Sequence, residues 1–291
     1  TGSTGMLGAA AACARLMQLD ERKTAMALGI AASQPIGMRE QFGTMTKPFH
    51  PGAAARAGLM SALLAKNGFT ASAKSIEAPR GFVQVVSDKR SWNEVTDELG
   101  ERFEISFNTY KPFACGIVIH PSIDACVQLR ARGVRPDEVD RIELKVHSLV
   151  LELTGKKEPA DGLQAKFSVY HGAAAGLIFG QAGEHEFSDA VVNRADVIEL
   201  RRKIVATVDD DIDEASVDVT AVMAGGRREH LIVEHAIGSL QRPMTDAQLE
   251  AKFTALSAPV LGDAKTTALI DAAWNIGRAA DVRTLTAIAR P

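Results

Sequence analysis

Residues 139–151 read VDRIELKVHSLVL, and the alternation of apolar and polar side chains along them predicts a β-strand. Three further stretches have strand patterns, and these are 103–108 (FEISFN), 204–208 (IVATV) and 215–223 (ASVDVTAVM). Gly225 and Gly226 predict a turn that pairs the last of these with 228–236. The helical patterns that lie among the strands cover 115–132, 163–179 and 195–203. Residues 103–240 are therefore predicted to form a mixed α+β block.

Both flanks of this block are predicted to be helical and rich in alanine, whose small side chain lets helices pack closely. The predicted helices are 5–18, 21–34, 52–66 and 91–100 before the block, and 246–256, 263–279 and 281–289 after it. In the simplest packing the two helical ends share one domain (1–102 and 241–291), with 103–240 inserted as a second domain. The predicted fold class is α+β, mostly α, and the cleft between two such domains is a common place for a small-molecule site.

Composition and charge exclude several classes of protein. The chain has 291 residues, 46% of them hydrophobic, so it can bury a sizeable core and is not disordered. A formal net charge of −3 gives no reason to expect a nucleic acid or an anionic membrane as a partner. Three cysteines are too few for a disulfide framework or a zinc site, which fits a reducing cytoplasm. The apolar run over 6–17 is shorter than the roughly 20 residues that span a bilayer, so we predict a cytoplasmic protein.

The first candidate site is the segment GTMTKPFHPG at 43–52. Its prolines and glycines predict an extended loop that leads into a helix, with Lys47 and His50 at the helix N-terminus. The free N–H groups there favour anions, so a carboxylate would meet a cation, an imidazole and a positive dipole end. The alternative interpretation is a surface loop with a solvated lysine and a capping histidine.

The second candidate is NTYKPFAC at 108–115, at the end of a predicted strand. Pro112 keeps Lys111 extended, and beside Tyr110 the lysine could occupy a cleft with a lowered pKa. The alternative is a solvated lysine at a strand end. On the following helix His120 and Asp124 are four residues apart, so the carboxylate could orient the imidazole, although a structural pair is the favoured interpretation.

The third candidate is KFSVYHG at 166–172, where Tyr170 and His171 open an alanine-rich helix. Neighbours on a helix point about 100° apart, so one of the two could face a cleft. The alternative is a buried tyrosine whose hydroxyl is satisfied. The sequence contains no P-loop and none of the common zinc-protease or serine-hydrolase motifs.

Four segments together resemble the MmgE/PrpD family, in the family's order and over nearly the whole chain. They are GTMTKPFHPGAAARAGLMSALLAKNGFT (43–70), YKPFACGIVIHPSIDA (110–125), QAKFSVYHGAAAGLIFG (164–180) and RPMTDAQLEAKF (242–253). The family includes 2-methylcitrate dehydratase, cis-aconitate decarboxylase and iminodisuccinate epimerase. The resemblance implies a large all-helical domain made from both chain ends, an inserted smaller α+β lid, and a site between the two.

The resemblance also assigns roles to residues. Lys47 matches the lysine of the family's T-K-P-x-H motif, and Lys111 matches the lysine contributed from the lid side. Many members carry a tyrosine three residues after Phe-Ser, where this chain has His171 preceded by Tyr170. The implied catalytic set is Lys47, Lys111, His171 and Tyr170, with His50, Tyr110 and His120 as substrate-binding residues. The resemblance implies no metal, no organic cofactor, a homodimer, and a small di- or tricarboxylate substrate.

The expected function is that of a cofactor-independent lyase that removes a proton next to a carboxylate, as a dehydratase does. An epimerase or isomerase of a dicarboxylate such as iminodisuccinate is the first alternative. The second is a catalytically incomplete carboxylate-binding fragment, because the resemblance implies a preceding helical region with an aspartate and histidines of the site. We therefore expect this chain alone to be inactive, and its first helices to expose an apolar face.

Overall fold

The computed structural model describes residues 2–34 and 37–291, which divide into two compact units, Thr1–Phe103 and Glu104–Pro291. The fold class is confirmed: the chain is mostly helical and contains one small mixed sheet. Among the described residues no helix is both long and apolar enough to cross a membrane. The predicted sharing of one helical domain by both chain ends stays a prediction.

The first unit is helical throughout its regular structure. Its α-helices are α1 Gly5–Leu16, α2 Glu21–Ala32, α3 Thr46–Lys66, α4 Phe82–Val86 and α5 Trp92–Thr96, with a 3₁₀ turn at Arg39–Gln41. Small residues let α1 and α3 approach closely, since a Cβ on Gly58 would lie 2.7 Å from the backbone N of Ala10. This unit exposes large apolar side chains, among them Leu16 in α1 and Leu59 and Met60 in α3. The expected apolar face of the first helices stays a prediction.

Two boundaries in this unit differ from the prediction. Helix α3 begins at Thr46 rather than at residue 52. Pro48 is tolerated in the first turn, where a missing N–H removes no intrahelical bond, whereas Pro51 lies inside the helix and removes one. The predicted helix over 91–100 is only Trp92–Thr96, and the side chain of Ser91 makes no capping hydrogen bond. Without a cap, little holds so short a helix beyond one turn.

The second unit contains the sheet and nine α-helices among the described residues. Its elements are α6 His120–Ala131, β1 Val139–Val146, α7 Ser148–Thr154, α8 Gly162–Ala165, α9 Val169–Phe179, α10 Asp189–Val192, α11 Ala195–Arg202, β2 Ile204–Val208, β3 Val217–Met223, β4 Arg228–Val233, α12 Asp246–Leu261, α13 Asp263–Trp274 and α14 Arg283–Ile288. Short 3₁₀ turns cover Glu104–Phe107, Ile117–Ile119, Pro136–Glu138, His185–Phe187 and Ile276–Arg278.

The four strands follow the order β2-β1-β3-β4, with β1 parallel to β2 and the other neighbours antiparallel. The predicted hairpin is confirmed, because Gly226 has a φ of +79° in the turn that joins β3 to β4. Alternate residues of β1, including Ile142 and Leu144, are fully buried in the core. Helices α6 and α9 belong to the same core and meet at Gly176, where a Cβ would lie 2.8 Å from the carbonyl oxygen of Ile123.

The predicted strand over 103–108 is wrong. The segment forms a 3₁₀ turn at Glu104–Phe107, and its apolar side chains Phe103 and Ile105 remain 63% and 81% exposed. A segment of alternating apolar and polar residues forms a strand only where another strand pairs with it and a hydrophobic core covers one of its faces. Neither a strand partner nor a covering core is present for this segment within the described residues.

Three other predicted elements have different bounds, two of them because of a side-chain cap. Strand β1 ends at Val146 because His147 accepts a hydrogen bond from the N–H of Leu149 and starts α7. The predicted helix over 163–179 breaks at Ser168, whose hydroxyl accepts from the N–H of His171 and starts α9. The helix predicted from residue 115 begins at His120, after a 3₁₀ turn.

We predict that Gly58→Ala lowers the free energy of unfolding of the first unit by about 1–3 kcal/mol, because the added methyl overpacks the contact between α1 and α3. The matched control is Gly52→Ala in the same helix, where a Cβ would meet nothing within 4 Å. That control should stabilise the helix by up to about 1 kcal/mol. Urea unfolding of the two variants measures both changes, and equal stability of the two would contradict the packing described here.

Candidate functional site

Lys47 and His50 lie in the first two turns of α3, and not on the extended loop that the sequence predicted before the helix. The Lys47 side chain is exposed, and its Nζ lies 6.0 Å from the centroid of the Phe42 ring. His50 is half-buried against Gly37 and lines a cavity of about 370 Å³ together with Gln34, Arg56 and Met60. The first unit therefore presents a cationic group at Lys47 and an imidazole beside Arg56, all near the start of one helix.

Residues 109–116, here called the Lys111 strap, lead from the start of the second unit to α6. The strap is fixed on two sides by backbone hydrogen bonds, from Ala114 N to the carbonyl of Ala182 and from Gly116 N to the carbonyl of Lys166, both 3.0 Å. Within it, Lys111 Nζ donates to the carbonyl oxygen of Cys115 at 3.0 Å. The ammonium group therefore has a defined place, although the residue is exposed.

His120 lies directly behind the strap, at the first residue of α6, and is only 2% exposed. Its imidazole hydrogen-bonds the backbone of Cys115 and packs edge-on against Phe113, with 5.3 Å between ring centroids. The Nε2 atom is buried without a hydrogen-bond partner. Burial, assisted by the nearby Lys111 ammonium, lowers the pKa of His120 to about 4, so the ring is neutral at pH 7.

Asp124 does not orient His120. Its buried carboxylate instead accepts hydrogen bonds from Arg242 Nη1, from Ile237 N at 3.0 Å and from Gln128 Nε2 at 3.2 Å. A buried carboxylate is stabilised more by a guanidinium and a backbone N–H than by a neutral imidazole. His120 and Asp124 therefore both have structural roles, as the sequence favoured. They do not form a pair, because each binds a different group.

Tyr170 and His171 are both buried in the core of the second unit, 5% and 0% exposed. His171 Nε2 lies 2.9 Å from the carbonyl oxygen of Glu186, and its Nδ1 is buried without a partner. Burial lowers the pKa of His171 to about 4 and raises that of Tyr170. In this structure neither side chain is accessible to a solute, so their predicted role as lid-side acid would require the core to open.

Lys111 lines a cavity of about 740 Å³ in the second unit, and two further cations, Arg242 and Lys252, line it as well. Lys252 Nζ donates to the carbonyl oxygen of Lys111 at 2.7 Å, so α12 contacts the strap directly. Tyr110 is half-exposed outside this cavity. Sequence reasoning missed Arg242 and Lys252, although both stand in the segment RPMTDAQLEAKF that supported the resemblance.

The residues that could hold a metal ion are scattered. Over 2–34 and 37–291, no three His, Cys, Asp or Glu side chains come close enough together to bind one. The cavity is lined by the cations Lys111, Arg242 and Lys252 and also by the carboxylates Asp124, Glu184 and Glu186. Because Arg242 is paired with Asp124, the ammonium groups of Lys111 and Lys252 are the groups that can attract an anion, with a neutral imidazole behind the strap.

Comparison with known proteins gives the same family over both units. A family model described as the MmgE/PrpD N-terminal domain matches residues 1–95, and one described as the MmgE/PrpD C-terminal domain matches residues 113–276. The cis-aconitate decarboxylase of Homo sapiens is 24% identical over 302 residues, covering 98% of this chain and 61% of the relative. That of Aspergillus terreus is 25% identical over 310 residues, covering 97% and 62%. The chain thus spans about three-fifths of the length of these relatives.

The lowered pKa values of His120 and His171 predict a loss of stability in acid. Above pH 6.5 both rings are neutral whether the chain is folded or unfolded, and their contribution is fully present. Between pH 6.5 and about 4 only the unfolded chain takes up the protons, so each histidine lowers the free energy of unfolding by up to about 3 kcal/mol.

Urea unfolding of the second unit at pH 7 and at pH 5 measures this loss. His120→Asn should flatten the pH dependence, whereas the control His235→Asn, at an exposed histidine, should leave it unchanged. An identical pH dependence in His120→Asn and in the parent protein would show that His120 is not held neutral by its surroundings.

Proposed function

Since the chain belongs to the MmgE/PrpD family, we propose that it is part of a lyase that acts on a small di- or tricarboxylic acid without a cofactor. The reaction removes a proton from the carbon next to a carboxylate. The observation that carries the proposal is the fixed ammonium of Lys111 at the wall of a 740 Å³ cavity that Arg242 and Lys252 also line. A cavity of that size accommodates a small polyacid.

Proton removal next to a carboxylate builds negative charge on the carboxylate oxygens. Cations held in place before the reaction stabilise this charge more than mobile ones, because they need no reorganisation as the charge develops. Lys111 meets that requirement through its bond to Cys115 and through the anchored backbone of the strap. We assign it the role of carboxylate ligand.

Lys47 and His50 supply the corresponding groups of the first unit. Their support is the match to the T-K-P-x-H motif and their position at the N-terminal end of α3, where helix N–H groups add to the attraction for an anion. We assign Lys47 to carboxylate binding or proton handling and His50 to substrate binding. His120 acts from behind the strap, where its neutral ring contacts the backbone that carries Lys111.

The reaction type is proposed as dehydration, with epimerisation of a dicarboxylate as the first alternative. The similar proteins named above are decarboxylases, and decarboxylation also requires charge stabilisation at a carboxylate. Dehydration, decarboxylation and epimerisation differ in the leaving group and in where the second proton arrives. Many members of the family carry a tyrosine at the position of His171, and this chain differs from them there.

A second candidate function is carboxylate binding without turnover. The burial of both Tyr170 and His171 favours it, because neither side chain reaches a solute in this structure.

We also propose that the protein works as a homodimer in the cytoplasm. The three cysteines, all free, are compatible with a reducing compartment.

We predict that Lys111→Gln lowers kcat/KM for a citrate-like hydroxy acid or for cis-aconitate by about 10²-fold or more in the full-length protein, because it removes a fixed positive charge from the developing carboxylate charge. Lys47→Gln should have an effect of the same order. Lys145→Gln in the second unit and Lys66→Gln in the first are the controls, since both lysines lie outside the cavities described above. Steady-state kinetics measure the change, and parent-like turnover in Lys111→Gln would end the assignment.

Calorimetric titration with citrate-like hydroxy acids and with cis-aconitate, run beside the activity assay, separates the two candidate functions. The lyase predicts both binding and turnover by the full-length protein, whereas the binding protein predicts heat of binding with no product. The absence of both would remove the carboxylate assignment altogether.

A further inference from the structure

We propose that the buried ion pair of Asp124 and Arg242 positions Lys111, by holding the 235–242 segment against the Lys111 strap. The inference rests on the proposed function in so far as Lys111 binds a carboxylate. It concerns two residues that line the same cavity and, in addition, support the strap.

Asp124 is the anchor of this arrangement. Its side chain is 4% exposed and accepts hydrogen bonds from α6, through Gln128, and from the 235–242 segment, through Ile237 N and Arg242 Nη1. A buried carboxylate is tolerated only when its oxygens are paired in this way. The charge of Asp124 therefore ties the segment to the helix that follows the strap.

The segment is itself a closed turn around Arg242. Gly238 N donates to the Arg242 carbonyl at 2.8 Å, and Arg242 N donates to Ser239 Oγ at 3.1 Å. Gly238 adopts a φ of +90°, a conformation that favours glycine. Arg242 thus holds the turn closed with its backbone while its guanidinium binds Asp124.

This turn packs directly against the backbone on both sides of Lys111. A Cβ on Gly238 would collide with the carbonyl oxygen of Tyr110 and would lie 2.7 Å from Cδ of Pro112. From α12, Lys252 donates to the carbonyl of Lys111 itself. Tyr110 and Pro112 are therefore in contact with the turn that Asp124 and Arg242 hold in place, and α12 supports Lys111 between them.

The consequence is specific to Lys111. Removing the charge of Asp124 releases the turn, and the strap loses its support at Tyr110 and Pro112, while its two backbone anchors at Ala114 and Gly116 remain. The fold is then preserved, but the Lys111 ammonium is no longer confined to the Cys115 carbonyl. Its reactivity toward an acylating reagent should rise toward that of a solvated lysine.

The test measures the acylation rates of individual lysines in the intact chain. A short pulse of a water-soluble acylating ester labels the lysines over a range of pH, and mass spectrometry then quantifies the label at each position. In Asp124→Asn, acylation of Lys111 should rise several-fold relative to Lys145 in the same molecule. The matched control is Asp196→Asn, which removes the charge from an exposed pair with Arg194 and should leave the Lys111 rate unchanged. A Lys111 rate and pH profile in Asp124→Asn equal to those of the parent would overturn the proposal.

Arg242→Gln provides a second variant should Asp124→Asn fail to fold, because the Arg242 side chain is 45% exposed and Asp124 keeps its bonds to Ile237 and Gln128. It should raise the Lys111 rate in the same way, whereas Arg242→Lys, which retains the charge, should restore most of the protection. An unchanged Lys111 rate in Arg242→Gln overturns the proposal as well.

Titration with cis-aconitate separates this inference from the proposed function. If the parent binds the acid, Asp124→Asn should weaken binding about tenfold or more, and equal affinity overturns the link to the site. If the full-length parent binds no acid, the proposed function fails, and the acylation rates still decide whether Asp124 and Arg242 position Lys111.

Discussion

The site depends on one hydrogen bond, in which the Lys111 ammonium donates to the carbonyl of Cys115 four residues further along the same strap. An exposed lysine ordinarily samples many rotamers, and that freedom is lost when it binds a ligand. Here the strap has already restricted the side chain, because its backbone is bonded to Ala182 and Lys166. The positive charge is thus placed before any acid arrives, which is the condition for electrostatic stabilisation of a developing anion.

This placement carries an electrostatic cost behind the strap. His120 lies behind the strap and His171 lies elsewhere in the core of the same unit. Both are buried with one ring nitrogen unpaired, and their pKa values fall to about 4. Asp124 is buried as a charge and is compensated by Arg242. Tight packing offsets part of this cost, since glycines such as Gly176 let α6 and α9 approach to backbone contact. The contribution of the two histidines to stability is therefore fully present above pH 6.5, where the imidazoles are uncharged.

The sequence predicts the fold class, and it predicts the individual elements correctly where another strand or helix packs against the segment. The alternation in β1 became a central strand because β2 and β3 pair with it, whereas the same alternation at 103–108 found no strand and formed a turn. The sequence also placed Lys111 beside Tyr110 at the entrance to α6. It could not indicate that Arg242, 118 residues after Asp124, binds that carboxylate, because such a pairing depends on tertiary structure alone. The sequence could not indicate the burial of His171 either, because burial also depends on tertiary structure.

A crystal structure of the full-length protein with bound cis-aconitate would test the central claim most directly. The account predicts a carboxylate oxygen of the acid within hydrogen-bond distance of Lys111 Nζ, with the strap in the conformation described above. An acid bound with all its carboxylates away from Lys111, while the ammonium remains on the Cys115 carbonyl alone, would contradict it.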